Sequence, residues 1–245
     1  MKKSYLKTCL ATLALLWAPL SLMALEKEGD AYKIGSPEDM VEFSNICNGG
    51  EAASAFLTAD IDLTEVDYKP LGTNYYYVGV FNGRGHTVTV NITTEGQVIG
   101  LFSYVTGSET VIKNLTVRGD ITTSDKFAGG VVGVLHNGAT VENCASYVNI
   151  HSQVNGDGTH GGIVGYVTGE GTKTINCLFA GSINGEMTNQ CGGIIGWAGA
   201  ANTEIRNCLA MGQMNVQNDG CATFRRNPGN VKVTNCYYSE GFIEL

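Results

Sequence analysis

Apolar and polar residues alternate in short runs along most of this chain. Leu115, Val117, Gly119 and Ile121 form one such run, and Cys144, Ser146, Val148 and Ile150 another. A period of two marks strands with one buried face. β-Branched residues abound, and segments such as Asn155-Gly156-Asp157-Gly158 punctuate the runs as turns. The runs also recur. Gly129-Gly130-Val131-Val132-Gly133 returns as Gly161-Gly162-Ile163-Val164-Gly165 and as Gly192-Gly193-Ile194-Ile195-Gly196, with Val98-Ile99-Gly100-Leu101-Phe102 as a weaker member whose Gly100 is set against Gly133. A second marker, Asn114-Leu115, Asn143-Cys144, Asn176-Cys177, Asn207-Cys208 and Asn235-Cys236, steps by 29, 33, 31 and 28 residues.

Two markers at one period define internal repeats. Each unit is too short and too one-sided to bury its own apolar face, so it must stack on its neighbours. Equivalent residues then lie about 4.8 Å apart along the stack. The pattern predicts an all-β fold, a parallel β-helix or β-solenoid. A leucine-rich repeat would need a leucine pattern that is missing here, and a propeller blade takes about 40–50 residues. Each Gly pair permits a tight corner that a Cβ would obstruct. Ile112 and Leu115 both face inward only if Asn114 takes a corner, and Asn tolerates the left-handed conformation better than most residues. Stacked corner amides then form an Asn ladder.

The Gly-Gly-hydrophobic-hydrophobic-Gly blocks, each followed by an Ile/Val-x-Asn-Cys segment, resemble the GLUG-motif repeats of bacterial cell-surface proteins. Similar repeats occur in IgA-cleaving metallopeptidases, outside the catalytic domain. The stretches Ser36-Pro37-Glu38-Asp39, Asp60-Ile61-Asp62-Leu63, Pro70-Leu71-Gly72 and Phe81-Asn82-Gly83-Arg84-Gly85-His86-Thr87-Val88 are similar to the lead-in of such proteins in Bacteroides-like bacteria. The likeness covers about residues 31–238. It implies a right-handed β-helix displayed outside the cell, and it carries over no catalytic residue.

The ends of a solenoid need closing, because an open end is an unpaired edge. Ser36 to Asn48 reads as a short capping helix: Ser36 fits the N-cap, Pro37 the first turn and Asp39 a capping box, with Gly49 after the end. Met40, Phe43, Ile46 and Cys47 share its inner face. At the far end Val231 to Tyr238 reads as a last imperfect rung. Cys221-Ala222-Thr223-Phe224 replaces the glycine block there, and Phe242 to Leu245 are expected to tuck over the core.

Lys2, Lys3 and Lys7 precede an apolar run from Leu10 to Leu22, and Ala24 offers a small residue for cleavage. This reads as a signal peptide over 1–24, followed by a cap and first rungs over 25–97 and the repeat rungs over 98–245. The run is short for a membrane span and has no successor, so no span is predicted. The expected location is extracellular or the outer cell surface, with the periplasm also open. The 245-residue chain carries 15 Lys and Arg against 23 Asp and Glu, a net charge of −8. Loss of 1–24 removes three lysines and no acid, which deepens the charge to −11. Such a chain repels phosphate backbones, so nucleic acid is not an expected partner.

Seven cysteines follow the leader. Cys144, Cys177, Cys208 and Cys236 share one repeat position and should point inward in parallel, which disfavours bridging, so they read as buried thiols. Cys191 and Cys221 align with each other and are the pair best placed to form a disulfide. His86, His136, His151 and His160 have no ligand spacing, no Cys-x-x-Cys occurs, and Asp60 with Asp62 lacks a third acid for calcium. No metal or other cofactor is expected. The outward row Lys113, Glu142, Ile175, Arg206, Thr234 is too mixed for a lyase-type cluster of acids, and no catalytic residue is assigned.

Another outward row is unusual. The residues after each marker read Thr116, Ala145, Leu178, Leu209, Tyr237, and two positions on Arg118, Tyr147, Ala180, Met211, Ser239. Leu178, Leu209, Met211 and Tyr237 would form an exposed apolar patch, the sort that marks a contact surface, unless the register slips by one or a loop covers it. Tyr75-Tyr76-Tyr77 could stack on sugar rings or pack against the helix. Three functions stay open. The favoured one is a non-enzymatic adhesion or ligand-binding protein with a glycan or host surface protein as partner. The second is a carbohydrate-active enzyme such as a polysaccharide lyase, and the third is a small scaffold whose partner supplies the activity.

Overall fold

The computed structural model describes residues 25–94, 98–199, 201–226 and 231–242. The signal peptide expected at 1–24, and residues 243–245 of the C-terminal tuck, lie outside them. The fold is an all-β parallel solenoid of about six turns, with a single helix among the described residues. Each full turn visits three sheets in order. The chain passes from Phe102–Thr106 to Val111–Lys113 to Thr116–Thr123, then repeats through Val132–His136, Thr140–Glu142 and Ala145–Ser152. Phe102–Thr106, Val132–His136, Val164–Thr168, Ile195–Ala198 and Arg225–Arg226 form the Gly-marker sheet. Its neighbours across the core are two nine-stranded sheets, and all stacking pairs between turns are parallel.

The corners follow from residue chemistry. Asn114, Asn143, Asn176, Asn207 and Asn235 all have φ between 50° and 55°, the left-handed region. This conformation flips the chain so that residues on either side both face inward, as at Ile112 and Leu115, each 1% exposed or less. The amides stack as a ladder: Asn143 Nδ2 donates to Asn114 Oδ1 (3.2 Å), Asn176 to Asn143 (2.9 Å), Asn207 to Asn176 (2.9 Å) and Asn235 to Asn207 (3.3 Å). The ladder extends one step beyond the repeats, because Asn114 Nδ2 donates to Asn82 Oδ1 at 3.0 Å. Asn82 is not itself the left-handed residue of its turn. That role falls to Arg84, at φ 51°, in a longer corner.

One register differs from the sequence reading. Gly100 does not stand opposite Gly133: Phe102 pairs with Val132 and Tyr104 with Val134, which sets Ser103 level with Gly133. Ile99 bridges Ala128, so Gly100 occupies the place of Gly129, the first residue of the pair. This turn has one glycine where the three turns that follow have two. Backbone pairing, which tolerates a one-residue irregularity, overrides the letter match.

The helix runs Pro37–Asn48 and has the expected capping box: Ser36 Oγ accepts from Asp39 N (3.1 Å), and Asp39 Oδ2 accepts from Ser36 N (3.0 Å). Met40, Phe43 and Cys47 are buried, with Phe43 packed among the rings of Tyr32, Tyr77 and Phe81. Ile46 also packs against the core, but less completely. It is half-buried and lines a surface groove with Val41 and Val66. At the far end Val231–Thr234 and Tyr237–Tyr238 make the final rung, and Phe242 is buried against Phe179. Asn155 to Gly158 is more than a turn, since Gly156–Asp157 pairs in parallel with Thr188–Asn189.

The described cysteines are free thiols. Cys144, Cys177 and Cys208 are buried and Cys236 is half-buried, each Sγ lying 3.2–3.4 Å from the carbonyl two residues earlier. Burial pushes the Cys177 and Cys236 thiols up from their ordinary range.

Candidate functional site

Alternation along the Gly-marker sheet sends every second side chain outward. Tyr104, Val134, Tyr166 and Trp197 are in direct register across four strands, and they form one outward column. The rings are braced from the side. Tyr76 stacks on Tyr104 with centroids 5.2 Å apart and planes 16° from parallel, and Phe127 stacks on Tyr166 at 5.0 Å and 24°. The Arg226 guanidinium sits 4.7 Å from the Trp197 ring centre. Beside this column runs a polar one, Thr106, His136 and Thr168, again in register, with Thr106 Oγ1 3.2 Å from His136 Nδ1. Tyr104 and Tyr166 are two strands apart, about 9–10 Å at ordinary parallel spacing, and Val134 between them is covered, at 4% exposed. The arrangement is a row of fixed aromatic rings flanked by hydroxyl and imidazole groups.

Arg226 is the anchor of this face at its C-terminal end. It donates from Nη1 to Gln190 O (2.8 Å), Thr159 Oγ1 (3.3 Å) and Asp157 Oδ1 (3.3 Å), and from Nη2 to Gln190 Oε1. Burial alone would raise the Asp157 carboxyl. Hydrogen bonds from Thr159 and Lys126, with the charges of Lys126 and Arg226, outweigh it and hold the group below its ordinary value.

The residues singled out in the sequence fall at several places. The row after the Asn marker has the expected register, since Ala145 pairs with Thr116 and Leu178, and Leu209 pairs with Leu178 and Tyr237. Leu209, Met211 and Tyr237 are exposed by 37%, 49% and 68%. Leu178 is only half-buried surface, screened by its neighbours in the row. The tyrosine run divides. Tyr75 and Tyr76 are exposed, but Tyr77 is 1% exposed and packs against Phe43 of the helix and Phe102. It cannot stack on a sugar: three successive residues of a strand-like segment cannot all face one way. Tyr76 joins the aromatic column, whereas Tyr75 lies over Gly50.

Two further clusters carry titratable groups. On the sheet that bears the Leu209 row, His151 Nε2 lies 2.9 Å from Asp120 Oδ1, to which Asn149 Nδ2 also donates (3.3 Å), and the exposed Arg118 and Tyr147 are adjacent. The other cluster centres on the buried His160 and Thr188, with Ser152 half-buried at its edge. His160 Nδ1 accepts from Ala128 N (3.3 Å), so its proton sits on Nε2, 2.7 Å from Ser152 Oγ. Thr188 Oγ1 is 2.8 Å from both Ser152 Oγ and Val154 O. The histidine thus donates to the serine, the reverse of what a general base must do. This cluster ties residues of neighbouring turns together. Among the described residues, no group of three or more His, Cys, Asp or Glu is placed to hold a metal, and no helix is long and apolar enough to cross a membrane.

Burial drives the His160 imidazole down from 6.5 to about 4. The unfolded chain therefore binds a proton between those values that the folded chain refuses, so stability rises with pH across that window. A fully buried group with this shift contributes about 3 kcal/mol, present above pH 6.5 and lost as pH falls to about 4. Urea unfolding from pH 7.5 to 4 should show this slope, and His160→Asn should flatten it while lowering stability throughout. Parallel pH profiles for the two proteins would remove His160 as the cause.

No family model matches the chain. Halomucin of Haloquadratum walsbyi is 29% identical over 154 residues, which is 57% of this chain and 2% of that protein. The chain therefore spans only a small fraction of that relative's length. Among solved structures, a "putative immunoglobulin A1 protease" from Bacteroides ovatus superposes with a TM-score of 0.63 at 19% identity, covering 86% of this chain and 76% of that one. At this identity the likeness establishes the β-solenoid fold.

Proposed function

We propose that this protein is an exported, non-enzymatic β-solenoid of the GLUG-repeat type that binds an extended glycan along its Gly-marker sheet. The observation that carries this reading is the braced column Tyr104, Tyr166, Trp197 with Tyr76 at its flank. Sugar rings present C–H faces that stack on aromatic planes and hydroxyls that need partners. An aromatic column beside Thr106, His136 and Thr168 supplies both. Fixed rings also lower the ordering cost of binding. The net charge, −8 for the full chain and −11 once residues 1–24 are removed, favours an uncharged polymer over a polyanion. The Leu209, Met211, Tyr237 patch lacks such ring planes in series, and suits a protein surface better than a polysaccharide.

Affinity electrophoresis against a panel of uncharged and acidic polysaccharides tests the reading. Retention is expected on at least one uncharged polymer, and Trp197→Ala or Tyr166→Ala should weaken it about tenfold each, the usual effect of truncating a central aromatic contact. No retention on any polymer, or full retention by both variants, rejects it. The alternative reading, a lyase, rests on the Asp120–His151 pair with Arg118 and Tyr147 beside it. It would appear in the same panel as release of unsaturated uronate from an acidic polymer, abolished by His151→Ala.

A further inference from the structure

Cys191 and Cys221 depart from the other stacked thiols. In the file from Cys144 to Cys236 every sulfur takes the same direction, toward the carbonyl two residues earlier, so neighbouring thiols are related by simple translation. A disulfide needs a dihedral near 90° between approaching Cβ atoms, which translated side chains do not offer. Cys191 keeps the repeat's direction, with Sγ 3.5 Å from Asn189 O. Cys221 does not. Its Sγ lies 3.3 Å from Gln217 O, four residues back, and accepts the backbone N–H of Cys191 at 3.3 Å. The strands themselves are joined next door, where Ala222 N donates to Cys191 O at 2.9 Å and Gly192 bridges Ala222. Accessibility is also unequal, since Cys191 is fully buried and Cys221 is half-exposed after the turn at Gly220.

We propose that Cys221 and Cys191 form a dithiol–disulfide site, modified by exchange with a small or protein disulfide, which ties the last rung to the one before it. The Cys221 thiolate attacks one sulfur of the incoming disulfide. A mixed disulfide forms at Cys221, and the other half leaves as a thiolate that takes up a proton. Cys191 then loses its proton to solvent and attacks the Cys221 sulfur. The internal disulfide forms and the second half of the oxidant leaves as a thiol. Two cysteine thiols are oxidised and one external disulfide is reduced to two thiols. The roles follow from position: only the half-exposed sulfur can meet the oxidant, and only the buried one lies close enough to displace it. The electrostatics agree. The hydrogen bond from Cys191, with the Cys191 backbone N–H and the Arg226 charge, lowers the Cys221 thiol, whereas its partnership with Cys221 and burial raise Cys191.

The test incubates the fully reduced chain with oxidised glutathione, quenches it with iodoacetamide, and maps linked peptides under non-reducing conditions. The expected product is a Cys191–Cys221 linkage, formed while Cys144, Cys177 and Cys208 remain reduced. Cys191→Ser should stop at a glutathione adduct on Cys221, and Cys221→Ser should give neither product. The linkage closes a 30-residue span, and should raise the thermal midpoint by about 5–10 °C, reversed by dithiothreitol and missing in both variants. A stable glutathione adduct on wild-type Cys221, no adduct or linkage at all, or faster linkage of Cys208 to Cys236 would each overturn the proposal.

Discussion

Replacing Gly161 by alanine is expected to abolish cooperative folding of the solenoid. A Cβ built there would stand 1.9 Å from Val164 O and 2.6 Å from Gly196 N. Both are backbone atoms, one in the same turn and one in the next, and neither can swing aside as a side chain would. The same approach occurs at Gly129 against Val132 O and at Gly192 against Ile195 O, so the clash lies in the repeat and no local adjustment removes it. The cost should exceed about 4 kcal/mol, in the range reserved for severe steric or cavity defects. Circular dichroism melts would show the loss. Gly156→Ala is the control, because nothing lies within 4 Å of its added Cβ and only its φ of 95° is unfavourable. That variant should lose about 1–2 kcal/mol and keep its transition. Equal losses in the two proteins would mean that backbone conformation, not close approach, fixes these glycines.

Asn176→Ala should cost about 3–4 kcal/mol, the second largest effect. Two contributions add. Alanine at φ 54° bears the left-handed penalty of roughly 1–2 kcal/mol. The variant also loses both ladder hydrogen bonds, to Asn143 and from Asn207, at about 1 kcal/mol each. Asn176→Gly separates them, since glycine accepts the corner but cannot join the ladder, and should lose about 2 kcal/mol. Denaturant titration of the three proteins reads the difference. If the glycine variant matched the wild type, the ladder would contribute nothing to stability.

The corners were legible because chemistry and spacing coincide there: a repeated Asn sits where alternation breaks, and only a left-handed residue repairs it. The helix was legible for a similar reason, since Ser36, Pro37 and Asp39 each satisfy a separate demand of its first turn. The outward row from Thr116 to Tyr237 was readable in register because the marker fixes its phase. What stayed hidden depends on contacts between turns. Tyr104, Val134, Tyr166 and Trp197 share no letter pattern, and the Gly100 misalignment displaced the first of them. Their one visible signal is that Val134, Tyr166 and Trp197 each follow the last glycine of a marker. The burial of Tyr77 and the Ser152–His160–Thr188 cluster leave no trace in spacing, because the partners come from loops of different length. Arg226 likewise reaches back 69 residues to Asp157.

The Asn steps of 29, 33, 31 and 28 residues have a consequence for how such a chain tolerates change. Between successive corners the strands of the two nine-stranded sheets keep register, while the connecting loops and irregularities at the Gly-marker strands absorb the differences in count. A residue inserted at a loop tip shifts nothing above or below it. The same insertion inside Thr140–Glu142 would turn the remaining inward side chains of that strand to solvent. Deleting a whole coil, Asn143 to Ile175, would instead lower Asn176 onto Asn114 and leave the same kinds of neighbours in contact. Insertions and deletions in this molecule are therefore tolerated in two sizes, a few residues at the tips or one entire winding, with little permitted between.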